Sequence, residues 1–201
     1  MPAAPSLACL IRISGVGGSP SDTSDATFSV TLGGPPAADE LVADFGPLGL
    51  WARRAGVWRQ LSGINAEGLA GLNLDGSADQ EIGGDFGALG LWLWNNGAWT
   101  QASGVNVESL ASLNVDGSAA GGIAADFGAV GLWIWNAGGW TQASGVNADS
   151  ILAAGLDADA PQELAVDFGA TGLWLWDGGA WTQLSGVNAE SLIAGNVSPD
   201  A

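Results

Sequence analysis

One motif sets the terms for this chain. Asp44-Phe45-Gly46 returns as Asp85-Phe86-Gly87, Asp126-Phe127-Gly128 and Asp167-Phe168-Gly169. A Gly-Leu-Trp motif travels with it, placing Trp51, Trp92, Trp133 and Trp174. So do a second tryptophan (Trp58, Trp99, Trp140, Trp181) and a Ser-Gly-(Ile/Val)-Asn motif ending at Asn65, Asn106, Asn147 and Asn188. Every step is 41 residues, with no insertion or deletion. An unbroken period of this length marks a repeat architecture. Each unit fills an equivalent slot and buries its apolar surface only against its neighbours.

The residues within a unit predict about four short strands. Around the second copy these are residues 110–114 (Leu-Ala-Ser-Leu-Asn), 82–86, 91–94 and 98–101; the third is closed by Asn95-Asn96-Gly97 and the last stops near Ser103-Gly104. β-branched and aromatic runs punctuated by Gly, Asn and Asp favour strands and tight turns, and no span keeps a helical period. Four strands in about 40 residues make one propeller blade. In Leu91-Trp92-Leu93-Trp94 the leucines take one face and the tryptophans the other, since side chains alternate along a strand. Both faces are apolar, so neighbours must cover both. The small runs Leu69-Ala70-Gly71, Leu110-Ala111-Ser112, Leu152-Ala153-Ala154 and Leu192-Ile193-Ala194 suit the innermost strand, where blades crowd together. The expected fold is all-β: a β-propeller of four 41-residue, four-stranded blades. A linear β-solenoid is the structural alternative.

The strand count is uneven. The innermost type occurs a fifth time if residues 28–32 join it, and the outer type a fifth time if residues 10–16 match the run from Trp181. Residues 17–26 read as a loop. This divides the chain into residues 1–39, carrying N-terminal strands and a linker, and residues 40–201, carrying the four repeats. Terminal strands then either close a ring within the chain or pair with another copy, because an unpaired sheet edge is costly. The first blade is atypical: Arg53 stands in the slot of Trp94, Trp135 and Trp176.

Charge and missing residue types narrow the function. Twenty-one acidic residues face four basic ones, all arginine (Arg12, Arg53, Arg54, Arg59), for a net charge of −17. Nucleic-acid backbones and anionic membrane surfaces are unsuited to such a surface. With no His and no Lys, the common nucleophile–base sets are excluded, and a carboxylate recurring in every repeat reads as architecture. Cys9 stands alone, so no disulfide forms within the chain. Met1 to Ile13 lacks the charged start and cleavage site of a signal peptide. The chain therefore reads as a non-enzymatic binding or adhesion module, with a carbohydrate or a protein as ligand. A self-assembling scaffold without a small ligand is the alternative. Trp94, Trp135 and Trp176 beside Asn95, Asn136 and Asp177 are the candidate sugar platforms: an aromatic face to stack on and a side chain to hydrogen-bond.

The loop Asn73-Leu74-Asp75-Gly76-Ser77-Ala78-Asp79 and the strand that ends in Asp85-Phe86-Gly87 resemble the FG-GAP/VCBS class of β-propeller repeats. The resemblance covers residues 40–198, and the tryptophan-rich strands are more distantly similar to Trp-repeat propeller lectins. It implies a propeller fold, an extracellular or cell-surface setting and calcium at the Asp-rich loop, with Asn73, Asp75 and Asp79 as side-chain ligands. The chain departs from the family loop at Gly71, at Ala120 and Gly155, and in residues 196–200, where the central Asp is lost. Only the first loop keeps several candidate ligands, and Asn and Asp there also form tight turns by bonding their own backbone.

Overall fold

The 41-residue period folds into a succession of antiparallel sheets. The computed structural model describes residues 40–77, 79–157, 159 and 161–195, and the backbone of four short strands before them. The chain divides into two compact units, Met1–Asp39 and Glu40–Ala201. In the first unit β1 (Ser6–Cys9) pairs with β4 (Phe28–Val30), and β2 (Arg12–Ser14) with β3 (Ser21–Thr23). Two expectations are corrected here. Phe28–Val30, counted as a possible fifth innermost strand, is a strand whose partner is β1. Ser21–Thr23, read as loop, is a strand paired with β2. Residues 10, 11, 15–20, 24–27 and 31–39 lie outside the described residues, as do Ala78 and residues 196–200.

The second unit holds four sheets in chain order. The first contains β5 (Leu41–Asp44), β6 (Leu50–Arg54) and β7 (Val57–Ser62). The second contains β8 (Gly68–Leu72), β9 (Glu81–Asp85), β10 (Leu91–Asn95) and β11 (Ala98–Ser103). The third contains β12 (Ser109–Leu113), β13 (Gly122–Asp126), β14 (Leu132–Asn136) and β15 (Gly139–Ser144). The fourth contains β16 (Ser150–Ala154), β17 (Glu163–Asp167), β18 (Leu173–Asp177) and β19 (Ala180–Ser185). Each is a meander, with strands side by side in chain order. The sheets are blade-like, three of them four-stranded, and the first has three strands where four were expected.

The phase of the repeat is also corrected. Residues 110–113 do not belong with strands 82–101; Ser109–Leu113 pairs with β13 and opens the third blade, as Gly68–Leu72 opens the second. The fifth copy of this opening run, residues 191–195, is not a strand. In complete blades the opening strand is held by the Asp-Phe-Gly strand that follows it, and among the described residues none follows residue 195.

Local chemistry explains the turns. The third and fourth strands of each blade join through a tight hairpin whose central residues both have positive φ: Asn96 (50°) and Gly97 (87°), Ala137 (50°) and Gly138 (87°). That is the hairpin twist matching right-handed strands. At the other end the Asp85 carboxylate accepts the Gly87 N–H at 3.2 Å, and Asp167 accepts that of Gly169 at 3.1 Å. Asp85 and Asp167 thus hold the turn after their own strands, and a single 3-10 turn (Gly87–Leu89, Gly169–Thr171) reverses the chain.

The predicted division of faces holds from blade to blade. Leu50, Ala52, Leu61 and Ala66 of the first blade form one buried cluster with Phe86 of the second, with Trp92, Trp94 and Trp99 packed against it. Leu91, Leu93, Ala102 and Val107 of the second meet Phe127, Trp133, Trp135 and Trp140 of the third. Leu132, Ile134, Ala143 and Ala148 of the third meet Phe168, Trp176 and Trp181 of the fourth. Every blade therefore presents a tryptophan face backward and a leucine face forward. One hydrogen bond repeats at each junction: Trp99 Nε1–H donates to Leu61 O at 2.9 Å, Trp140 to Ala102 O at 3.1 Å and Trp181 to Ala143 O at 3.2 Å. The opening strands β8, β12 and β16 also lie against one another in succession.

Candidate binding cleft on the first blade

Among the described residues of the second unit, a chain of blades built face to face leaves one tryptophan face without a preceding blade. Here it belongs to the first blade. Phe45 is 47% exposed, whereas its counterparts Phe86 and Phe127 are 9% and 8% exposed. Trp58 is exposed as well, and among the described residues its indole N–H lacks the carbonyl partner that Trp99, Trp140 and Trp181 find. The result is an open cleft of about 600 Å³ lined by Phe45, Pro47, Leu48, Trp51, Trp58 and Gln60. Within it, Phe45 and Trp58 meet edge to face with centroids 5.5 Å apart.

Two of the cleft's polar groups are already engaged. Trp51 Nε1–H and the Gln60 amide both donate to Leu48 O, at 2.9 and 3.1 Å. At the rim, the Arg53 guanidinium lies 6.0 Å from the Trp58 ring, a cation–π arrangement. Arg54 and Arg59 pair with Glu40 at 3.2 and 3.9 Å. The cleft is thus an apolar aromatic surface that offers the Trp58 N–H and the rest of the Gln60 amide, edged by the Arg53 charge in a strongly acidic protein.

The candidate sugar platforms of the sequence lie elsewhere. Trp94, Trp135 and Trp176 are half-buried and packed in the three blade junctions. Trp94 also meets Trp99 edge to face at 5.3 Å, and the Arg59 guanidinium sits 5.6 Å from its ring. Asn95 and Asn136 donate to Asp75 and Asp116 within their own blades, at 3.5 and 3.4 Å. Asp177 is exposed at the end of β18.

The acidic loops are closed on themselves. Asn73 Oδ1 accepts the Gly76 N–H at 2.8 Å, its Nδ2 donates to Ser77 O at 3.1 Å, and Asp75 Oδ1 accepts the Ser77 N–H at 2.8 Å. These bonds hold the Asp75 carboxyl below its ordinary pKa, the Ser77 amide acting most strongly. Asp79 is exposed, and its backbone carbonyl accepts the Ser77 hydroxyl. Two of the candidate calcium ligands, Asn73 Oδ1 and Asp75 Oδ1, are thus taken by the loop's own amides, where calcium asks for six to eight oxygens. The carboxylates that the structure gathers are instead Asp157, Asp159 and Glu163, within 4.8 Å of one another. Asp159 is raised, chiefly through its contact with Asp157.

Sequence reasoning marked the first blade as atypical through Arg53 but did not single out the cleft. Its tryptophans are the same residue types as in the other blades; only the missing neighbour distinguishes them. Fold and cleft together define an all-β, blade-type repeat protein with an open aromatic face. No family model and no curated protein matches the chain.

Proposed function

We propose that the protein is a non-enzymatic binding module that works through the aromatic cleft of its first blade. One observation carries this reading: Phe45 and Trp58 are exposed in the first blade while the same face is packed and hydrogen-bonded in the next three. Apolar clefts of this size with a few convergent polar groups are typical binding sites. With the Trp51 N–H and one Gln60 N–H occupied, the lining is mostly apolar, and the chemistry suits an apolar surface that offers a carbonyl to Trp58. The non-enzymatic reading is supported by the absence of His and Lys and by the turn-holding role of the recurrent aspartates.

An apolar fluorescent dye titrated into the dilute protein tests this reading. The dye is expected to bind, and Trp58→Ala to weaken it several-fold. Dye binding unchanged by Trp58→Ala and Phe45→Ala would overturn the assignment. A glycan array hit lost in Trp94→Ala and kept in Trp58→Ala would favour the sugar platforms instead.

A further inference from the structure

The cleft has a counterpart on the same chain. The leucine face of the fourth blade is as bare as the tryptophan face of the first. Leu184 is 51% exposed, while Leu61, the same position in the first blade, is 8% exposed beneath its neighbour. Leu173 and Leu175 are half-buried, whereas Leu50 and Ala52 at those positions are buried. Just beyond, residues 191–195 repeat the opening-strand sequence without a partner among the described residues, and Ile193 is 94% exposed. On the first blade the matching feature is the edge of β5, the Asp-Phe-Gly strand that among the described residues pairs on one side only.

Resting on the reading above, we infer that the partner of the cleft is the fourth blade of a second copy of this chain, docked head to tail. The three junctions inside the chain prescribe the fourth in detail. Gly68 pairs with Asp85, Leu69 with Gly84, Ala70 with Gly83 and Gly71 with Ile82, and the third and fourth blades repeat this register. Shifted by the period, Ser191 pairs with Asp44, Leu192 with Ala43, Ile193 with Val42 and Ala194 with Leu41. The Glu67, Glu108 and Asp149 N–H groups each donate at 2.8 Å to the carbonyl of the repeated Asp, so the Glu190 N–H meets Asp44 O. The junction bond becomes Trp58 Nε1–H to Leu184 O, supplying the donor with the carbonyl it lacks.

Charge agrees. All three arginines of the second unit are on the first blade, and Arg53 makes no ion pair among the described residues. The fourth blade carries Asp157, Asp159, Glu163 and Asp177 and no basic residue. Head-to-tail docking therefore brings Arg53, the arginine at the cleft, toward an acidic blade, offsetting part of the repulsion expected at −17. Within one chain the two faces do not meet: among the described residues no backbone hydrogen bond joins residues 191–195 to β5, and no buried cluster spans the first and fourth blades. A contact of this kind is heterologous, and it closes into rings or runs on as filaments.

The experiment is a disulfide trap in the full chain. Val42→Cys and Ile193→Cys are combined on a Cys9→Ser background and mildly oxidised. Directly opposed residues on antiparallel strands lie at disulfide distance. The expected result is a ladder of covalent dimers and larger species on a non-reducing gel. The unsubstituted chain should show a mass rising above 20.0 kDa with concentration by light scattering. Trp58→Asp and Leu184→Asp should each be monomeric, and their mixture should form dimers, because each variant keeps the face the other lacks. A purely internal disulfide would overturn the second copy in favour of closure within one chain. So would a mass of 20.0 kDa at every concentration with no cross-link. Dye binding at Trp58 without any cross-link would leave the binding module standing and remove the second copy; loss of both would remove both.

Discussion

Gly131→Ala is expected to cost the protein on the order of 3–5 kcal/mol, from backbone strain and steric overlap together. Gly131 follows the 3-10 turn with φ 89° and ψ −170°, a region essentially reserved for glycine. A Cβ built there would lie 2.3 Å from Ser144 O and 2.9 Å from Gly145 Cα, both backbone atoms of the bulged start of the β14–β15 pairing. Nothing in that contact can rotate away. The four repeats share the arrangement: Gly49, Gly90 and Gly172 would each bring a Cβ to 2.2 Å from the matching serine carbonyl. Gly138→Ala is the control. Gly138 also has positive φ, 87°, but a Cβ there meets nothing within 4 Å, so only the backbone term of about 1 kcal/mol applies. Denaturant unfolding of both variants measures the difference. Equal losses would mean that the close approach at the repeated glycine does not limit stability.

A second large effect is a rise in stability on mild acidification. Asp126 is fully buried. Burial pushes its carboxyl up, with the hydrogen bond from the Ala148 amide opposing the rise and the nearby Glu108 charge adding to it; the outcome is about 6, against 3.8 ordinarily. One oxygen accepts the Ala148 N–H at 3.3 Å while the other has no partner. Asp85 is raised for the same leading reason. The sign follows from linkage. A group whose folded pKa lies above its unfolded pKa contributes stability that is fully present below the unfolded value and lost as pH rises through the folded one. For Asp126 the window runs from 3.8 to about 6, a gap worth about 3 kcal/mol. Asp75 and Asp116, lowered by hydrogen bonds from their loops, titrate below 3.8 and stay out of this window. Thermal unfolding is therefore expected at higher temperature near pH 4.5 than near pH 7.5. Asp126→Asn should flatten that slope. A melting temperature that falls steadily over the same range would show the carboxylate to be well stabilised in its ionised form.

How much of this was legible in the sequence depends on what neighbours contribute. Strand positions, hairpins and the two faces of Leu91-Trp92-Leu93-Trp94 were legible because alternation and turn residues are local. The assignment of residues 110–114 to the wrong blade was not an error of secondary structure. A period states the spacing of strands and is silent on where a unit begins, which is decided by which strand hydrogen-bonds which. Phe28–Val30 shows the same limit: its composition suits a blade strand, but β1 holds it. The candidate site was hidden for a related reason. Trp58 and Trp99 are the same residue in the same slot, and only the absence of a preceding leucine face exposes the first. The Asp-rich loop was ambiguous because Asn and Asp oxygens serve amides and cations equally well, and at Asn73 and Asp75 the amides of Gly76 and Ser77 take them.

The central claim is that one junction, a tryptophan face on a leucine face, is repeated between blades and left open at the first. Residue-resolved tryptophan oxidation of the dilute protein, read by mass spectrometry, tests it most directly. Trp58 should react fastest of the four equivalent outer-strand tryptophans, with Trp99, Trp140 and Trp181 slow and alike. Trp58 protected as well as the other three, or those three reacting as fast as Trp58, would contradict the account.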